Sequence, residues 1–418
     1  MSVTNGSTAA GVGLSPLGER PDKMLAQVIR SDRLGEPTEA FKVEEIETPT
    51  PGNNEVLIGV MAAGINYNNV WAARGLPIDV ISLRQRRGEP YDFHIGGSDC
   101  AGIVYAVGPN VTSVRVGDRV VTHPGWWTEE GAASVRNGDE MLSPDAAIWG
   151  YDTNFGSFAQ FALAKEHQVM PKADHLTWEA AAASTLVGAT AYRMMFGWAP
   201  HVASEGDAVL VWGGSGGVGI MAIQLARHVG AFPVAVVSDS ARGEYCMEMG
   251  AVGYIDRTEF DHWGVPPHWQ DTAGQREWTA GCKAFGKKFR ETLGEQKDPA
   301  LVVEHPGEAT VPTSAFVCAP GGMVVICAGT TGFTACVDLR YHWVRQKRLQ
   351  GSHGTNMEQA LAYNGLIQSG HLDPCLGKLY DFEHIGAAHQ EMADGVDVFG
   401  NRAALVGAPT PGLGRGDS

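Results

Sequence analysis

The chain has 418 residues, 44% of them apolar, and a formal net charge of −16. That length accommodates about two domains with substantial cores, and the acidic balance argues against a nucleic-acid surface. No apolar run approaches the roughly eighteen residues of a membrane span, and the seven cysteines are scattered singly, as reduced thiols of a cytosolic protein would be.

Residues 1–21 are small, polar and glycine-rich and read as a disordered N-terminus. They hold no basic segment followed by an apolar core, so no secretory signal is expected. From Met24 onward, Leu25–Arg30 and Glu55–Met61 read as strands separated by a turn at Pro49–Gly52. Ala62–Trp71, His94–Val104 and Val116–Val121 continue as strands and glycine turns of a small barrel-like domain.

The pattern changes at Val209-Leu210-Val211-Trp212, an apolar run that breaks into Gly213-Gly214-Ser215-Gly216-Gly217-Val218-Gly219 and then into a helical sequence. Gly213, Gly216 and Gly219 permit a tight turn, close approach of the main chain to a ligand, and close helix packing. Ser215, Gly217 and Val218 complete a cradle in which a pyrophosphate would sit at a helix N-terminus. Val218, Met221, Ala222, Leu225 and Val229 recur at helical spacing, and Phe232–Val237 closes a βαβ unit.

After that strand, Ser238-Asp239-Ser240-Ala241-Arg242 carries two opposed signals. An acid favours the bare ribose of NAD, whereas small hydroxyl residues with an Arg suit the 2′-phosphate of NADP. The reading adopted is NADPH, with Arg242 on the phosphate and Asp239 turned outward; a solvated Arg242 is the competing reading.

Trp278 to Leu293, inside a Trp-rich and charged stretch from Trp263 to Glu295, reads as a surface helix. Leu301–His305 and Met323–Cys327 read as further core strands, covered on both faces. Gly329, in the glycine-rich Ala328–Gly332, falls where the nicotinamide end should pass. Met357–Gln368 reads as a helix and the residues after Pro409 as a frayed tail.

The order Ala62-Ala63-Gly64-Ile65-Asn66, Gly97-Ser98-Asp99, Val116-Gly117-Asp118-Arg119-Val120, then a glycine-rich turn, resembles the zinc-free medium-chain dehydrogenase/reductase superfamily. In its zinc enzymes the segment at Gly97-Ser98-Asp99 reads Gly-His-Glu. Without that His or a four-Cys lobe, no metal is expected. A narrower set, Ile148-Trp149-Gly150-Tyr151-Asp152-Thr153, Phe158–Phe161, His175–Glu179, Thr190–Arg193, Val303–Gly307 and Lys347–His353, resembles the crotonyl-CoA carboxylase/reductases over nearly the whole chain.

The resemblance implies an α/β fold, a Rossmann doubly wound parallel sheet plus a GroES-like β-barrel-type catalytic domain. The expected layout is a disordered 1–21, a catalytic domain over 22–170, a Rossmann NADPH-binding domain over 171–355, and a return to the catalytic domain with the tail over 356–418. It implies addition of an NADPH hydride to the β-carbon of a short enoyl-CoA, such as crotonyl-CoA or acryloyl-CoA, and capture of CO2 by the resulting enolate. Asn68, Tyr151 with Asp152, and His353 map onto the family's CO2 site, and Asn66 remains a competing asparagine with a loop-tying role. Arg340 and Tyr341 match its adenine-contacting pair, with positive charge added by Arg345, Lys347 and Arg348. A cytoplasmic homo-oligomer, dimer or tetramer, with no membrane or nucleic-acid partner, is expected.

Two departures stand out. Asp152 replaces the family's usual Glu, one methylene shorter, and Gly354-Thr355-Asn356 replaces Phe-Ala-Asn, which leaves the wall beside His353 looser. Both favour the alternative of an enoyl-CoA reductase without efficient carboxylation. A nucleotide-binding protein without turnover, which would not need the CO2-site Asn and His, and a quinone reductase, which needs neither the Arg340-Tyr341 pair nor the Trp-rich stretch, are weaker alternatives.

Overall fold

A computed structural model describes residues 10–135, 137–396 and 398–416. The chain divides into two compact units, one running to Ala189 and resuming at Gly354, the other Thr190–His353.

The first unit is built on the strand Glu55–Ile65, whose apolar residues Val56, Leu57, Ile58 and Val60 are fully buried. Each such side chain contributes roughly 1.5–3 kcal/mol by leaving water. This strand pairs antiparallel with Cys100–Val107, Phe161–Lys165 and Asn401–Leu405, and Asn401–Leu405 pairs parallel with Leu376–Tyr380. Arg119–Thr122 and Val169–Pro171 extend the same sheet beyond Cys100–Val107. A second, antiparallel sheet holds Lys42–Glu47, Lys23–Arg30 and Phe93–Ile95, and one core of Val28, Ile58, Val104, Phe158 and Phe161 joins the two.

Four expectations change here. The strand from Glu55 ends at Ile65, and Asn68–Arg74 is a helix rather than barrel strand. Val70 and Ala73 bury one face of it, and Gly75 closes it in the left-handed region at φ 65°. Secondly, the described part of the expected disordered N-terminus is docked. Gly11 and Val12 donate to the carbonyls of Ala408 and Val406, and Tyr105 Oη donates to Ser15 O. Residues 1–9 lie outside the described residues.

Thirdly, the expected frayed tail is also anchored. Gly412 N donates to Glu179, Trp178 N to Leu413 O, and buried Lys172 Nζ to Gly414 O at 2.8 Å. Lastly, residues 171–189 belong to the first unit, because Trp178, Ala181 and Ala182 share a core with Ala62, Ala101, Val121 and Leu405.

The second unit is a six-stranded parallel sheet in the order Gly253–Asp256, Phe232–Val237, Ala208–Trp212, Leu301–Glu304, Met323–Ile326, Arg348–Gly351. The first three carry the βαβ unit read from the sequence, with the helix Gly217–His228 between strands. The helix expected at Trp278–Leu293 begins six residues earlier, at Thr272, where Asp271 caps Gly274 N at 3.0 Å. It is more than a surface helix: Trp278, Cys282, Phe285 and Phe289 are buried, and Phe285 stacks on Trp212 with ring centres 5.5 Å apart.

Candidate active site

Three segments of the first unit meet at Gly97, Ser98 and Asp99. Asn68 opens the helix Asn68–Arg74, and its Nδ2 donates to Ser98 Oγ at 2.8 Å while its Oδ1 accepts from Asn69 Nδ2. Asn66, two residues earlier, donates to the Asp99 carboxylate at 2.8 Å. Asn66 is therefore the buried tie of this loop, and Asn68 is the less buried of the two.

The third segment is Ile148–Asp152. A Cβ on Gly150, which has φ 67°, would stand 2.0 Å from Gly97 O, so only glycine lets this segment lie against Gly97 and Ser98. Tyr151 Oη donates to Leu76 O at 3.1 Å, in the loop that leaves the Asn68 helix. Burial, then the neighbouring Asp152, raises the Tyr151 phenol to about 12, so it stays a neutral wall. The Asp152 carboxylate accepts from Ile148 N at 2.7 Å.

Asp99 is fully buried, and its carboxylate accepts from Leu186 N as well as from Asn66. Burial raises it to about 7, against those two donors. Ser98 and Asp99, the residues in place of the zinc-ligand motif, are thus occupied by hydrogen bonds to Asn68 and Asn66. Among the described residues no group of three or more His, Cys, Asp or Glu is placed to hold a metal ion.

Gly354 does not leave the wall loose. It is buried at φ 57°, and a Cβ there would stand 2.8 Å from Met141 Cε and 2.9 Å from Ile148 Cδ1. Met141, Ile148 and Trp127 fill the space in one apolar cluster with Tyr151 beside them. No signal in the sequence pointed to Met141, which lies more than two hundred residues away.

In the second unit the glycine turn shows the unusual backbone angle, at Gly213, and the close approach, at Gly219, that its sequence suggested. Gly213 sits at φ 57°, where a Cβ would stand 2.5 Å from His305 Nε2, and a Cβ on Gly219 would stand 2.3 Å from Gly213 O. Gly216 is the extended N-cap of the helix Gly217–His228, so the N–H groups of Gly217, Val218 and Gly219 are its first, intrahelically unpaired donors.

Arg242 Nη1 donates to Ser215 Oγ at 3.1 Å, which lays the guanidinium over that turn and not into solvent. Asp239 does not turn outward: it caps Arg242 N at 2.9 Å and pairs with the Arg242 side chain at 3.1 Å. Ser238 Oγ donates to the same carboxylate. The acid that would have favoured a bare ribose is spent on its own helix and on the cation. Gly329 lies just after Met323–Ile326, where a Cβ would stand 2.7 Å from Gly332 O.

The cationic set divides. Arg340 is half exposed and forks onto Asp338, with Nε at 3.0 Å from Oδ1, and Tyr341 packs edge-on to Phe316. Lys347 is buried and donates to the carbonyls of Ala315 and Phe316 at 2.8 and 2.9 Å, so it caps the helix Val311–Val317 instead of facing solvent. Arg348 is likewise occupied, donating to Trp198 O and Gln350 Oε1. These bonds hold the loop after Phe196. Arg345 remains exposed, and His353 is exposed as the last residue of the unit.

The family model described as the alcohol dehydrogenase GroES-like domain matches residues 52–174, and that of the zinc-binding dehydrogenase matches 217–368. A crotonyl-CoA carboxylase/reductase of Cereibacter sphaeroides is 46% identical over 401 residues, 96% of this chain and 91% of that protein. A crotonyl-CoA reductase of Streptomyces avermitilis is 38% identical over 98% of this chain and 93% of its own. Among solved structures, the crotonyl-CoA carboxylase/reductase AntE in complex with NADP is 50% identical with a TM-score of 0.91, covering 94% of this chain and 97% of its own. The 2-octenoyl-CoA carboxylase reductase CinF, in complex with NADP and 2-octenoyl-CoA, is 34% identical with a TM-score of 0.86, covering 95% and 91%. With the GroES-like and Rossmann-type architecture in place, the chain belongs to the crotonyl-CoA carboxylase/reductase family of the zinc-independent medium-chain dehydrogenase/reductase superfamily.

Proposed function

We propose that the protein catalyses NADPH-dependent reductive carboxylation of a short-chain enoyl-CoA, crotonyl-CoA or acryloyl-CoA, to an alkylmalonyl-CoA. The observation that carries this reading is 46% identity to a crotonyl-CoA carboxylase/reductase across 96% of the chain. The glycine turn with Arg242 over Ser215 fits a phosphorylated dinucleotide. Bound NADPH supplies the hydride that goes to the β-carbon.

The chain's residues then act on what that addition leaves. Asn68 offers an amide N–H to a CO2 oxygen as carboxylate charge develops on it, and His353 offers a ring N–H. Tyr151 walls the enolate from water, and Asp152 borders the same wall. Arg340 and Tyr341 take the nucleotide end of CoA, a phosphate fork beside an aromatic face. No helix among the described residues is long and apolar enough to cross a membrane. By family resemblance the protein works as a homodimer or homotetramer in the cytoplasm.

The second reading, an enoyl-CoA reductase without efficient carboxylation, is favoured by Asp152, whose carboxylate is committed to Ile148 N. NADPH oxidation with crotonyl-CoA and acryloyl-CoA, with and without labelled bicarbonate, separates the two by product mass. Label in an alkylmalonyl-CoA establishes the carboxylase; butyryl-CoA or propionyl-CoA alone establishes the reductase. His353→Asn should lower label incorporation more than NADPH oxidation, and equal losses would assign His353 a structural role.

A further inference from the structure

We propose that Ser98 is a positioning residue that aims the Asn68 amide, so that Ser98 sets how much of the product is carboxylated. The inference rests on the reading of Asn68 given above. Ser98 is fully buried and its Oγ lies 2.8 Å from Asn68 Nδ2, while Asn69 Nδ2 lies 3.1 Å from Asn68 Oδ1. An amide held at both ends cannot rotate about its terminal torsion, which is otherwise broad. One Nδ2 hydrogen points at Ser98, and the other is left as the donor for a ligand.

Ser98 can aim Asn68 because its own segment is fixed. Ser157 N and Phe158 N donate to the carbonyls of Gly97 and Gly96 at 3.0 Å, and Ser157 Oγ donates to Asp99 O at 2.5 Å. Gly97 has φ 98°, with no room for a Cβ beside Ser157 Oγ at 2.3 Å. Asp99, next in the chain, holds Asn66 in the same way, so adjacent residues of one strand entry hold alternate residues of the loop. The helix that Asn68 opens begins without a side-chain cap, so the Ser98 hydroxyl and the Asn69 amide are what hold the Asn68 side chain.

CO2 is neutral and binds weakly, so its capture depends on a donor already aimed rather than on affinity. Hydride transfer to the β-carbon does not use this amide. Loss of the Ser98 hydroxyl should therefore change the branching of the enolate and leave the reduction step nearly unchanged.

The test is a double-mutant cycle of Ser98→Ala and Asn68→Ala, read as the ratio of labelled alkylmalonyl-CoA to simply reduced acyl-CoA at fixed bicarbonate. Loss of one aiming hydrogen bond should lower that ratio about 5- to 10-fold in Ser98→Ala, with NADPH oxidation within about 3-fold of the parent. In the Asn68→Ala background, Ser98→Ala should add nothing. A Ser98→Ala effect of equal size in both backgrounds, or none in either, overturns the positioning role even though Asn68→Ala shifts the ratio. An Asn68→Ala ratio equal to the parent's overturns instead the reading of Asn68. Thermal unfolding of each variant identifies a packing defect, which would lower oxidation and carboxylation together and so count against the proposal.

Discussion

The Asp152 carboxylate accepts a hydrogen bond from the backbone N–H of Ile148, four residues earlier, at 2.7 Å. The tie closes the turn that carries Tyr151, whose own hydroxyl is anchored on Leu76 O. Asp152 therefore has a structural occupation that a longer acid would not keep in the same form. Asp152→Glu should raise the carboxylated share of product, because the added methylene carries the carboxylate toward the CO2 site. It should also lower stability by about 1 kcal/mol as the turn bond weakens. Product mass analysis beside chemical denaturation checks both; a higher share with no stability change would mean that the turn bond contributes nothing.

Gly354 is not a position to revert to the family's Phe. At φ 57°, with Met141 Cε and Ile148 Cδ1 within 3 Å of any Cβ, Gly354→Ala should cost about 2 kcal/mol or more from backbone strain and crowding. Met141→Ala in the same chain should recover part of that loss, since the nearest obstructing atom is a flexible thioether end. Denaturant unfolding of the two single variants and the double variant measures the coupling. Additive losses would mean that strain alone, without crowding, decides the position.

Arg242 lies over the glycine turn through Ser215 and is held there by Asp239. Arg242→Ala should raise the KM for NADPH by about 10- to 100-fold and leave that for NADH within about 3-fold, as loss of a fork on a phosphate does. Steady-state kinetics with both cofactors decides it. Equal losses for the two would remove Arg242 from the 2′-phosphate.

Lys347 and Arg340 should separate cleanly. Lys347→Met leaves the carbonyls of Ala315 and Phe316 without their donor, so it should cost about 2–3 kcal/mol of stability and leave the KM for enoyl-CoA unchanged. Arg340→Ala should raise that KM several-fold and change stability by less than about 0.5 kcal/mol, because its ion pair with Asp338 is exposed. The opposite pattern in either variant would exchange their roles.

The two units should differ in acid. In the first, burial lowers His123 and His389 to about 4, His167 to about 3, and His94 well below 6.5. A histidine buried in the neutral form contributes stability that is complete above its unfolded pKa of about 6.5 and is lost as pH falls toward the folded value. Asp99, raised to about 7, acts the other way: its contribution is complete below its unfolded pKa and is gone by about 7. Four histidines therefore oppose one acid in the first unit.

In the second unit the lowered His305, at about 4, and His262, also lowered, are balanced in pH dependence by Glu304, which burial raises to about 7. Acidification from about pH 6.5 to about 5 should reduce hydrogen-exchange protection of Glu55–Ile65 more than that of Ala208–Trp212. Earlier loss in the second unit would contradict this balance.

Local patterning alone determined the βαβ unit at the centre of the nucleotide-binding sheet, while the outer strands Gly253–Asp256 and Arg348–Gly351 were not read from it. The strand Ala208–Trp212, the glycine turn, the helix Gly217–His228 and the strand Phe232–Val237 follow one another with short-range periodicity, and the positive φ at Gly213 is one its glycine permits. The helix Met357–Gln368 was legible for the same reason, and the family motifs were continuous in sequence. What only the tertiary structure decided depends on partners far apart along the chain. Lys347 and Arg348 look like surface cations until the carbonyls of Ala315, Phe316 and Trp198 are seen to claim them. The glycine-rich ends look unstructured until Val406, Ala408, Trp178 and Lys172 pair with their backbone. Gly354 looks like missing bulk until Met141 supplies it, and Ser98 looks like a lost metal ligand until Asn68 is found on its hydroxyl. Hydrogen bonding and packing are satisfied by whatever the fold brings near, and that proximity is not encoded in the spacing of the residues themselves.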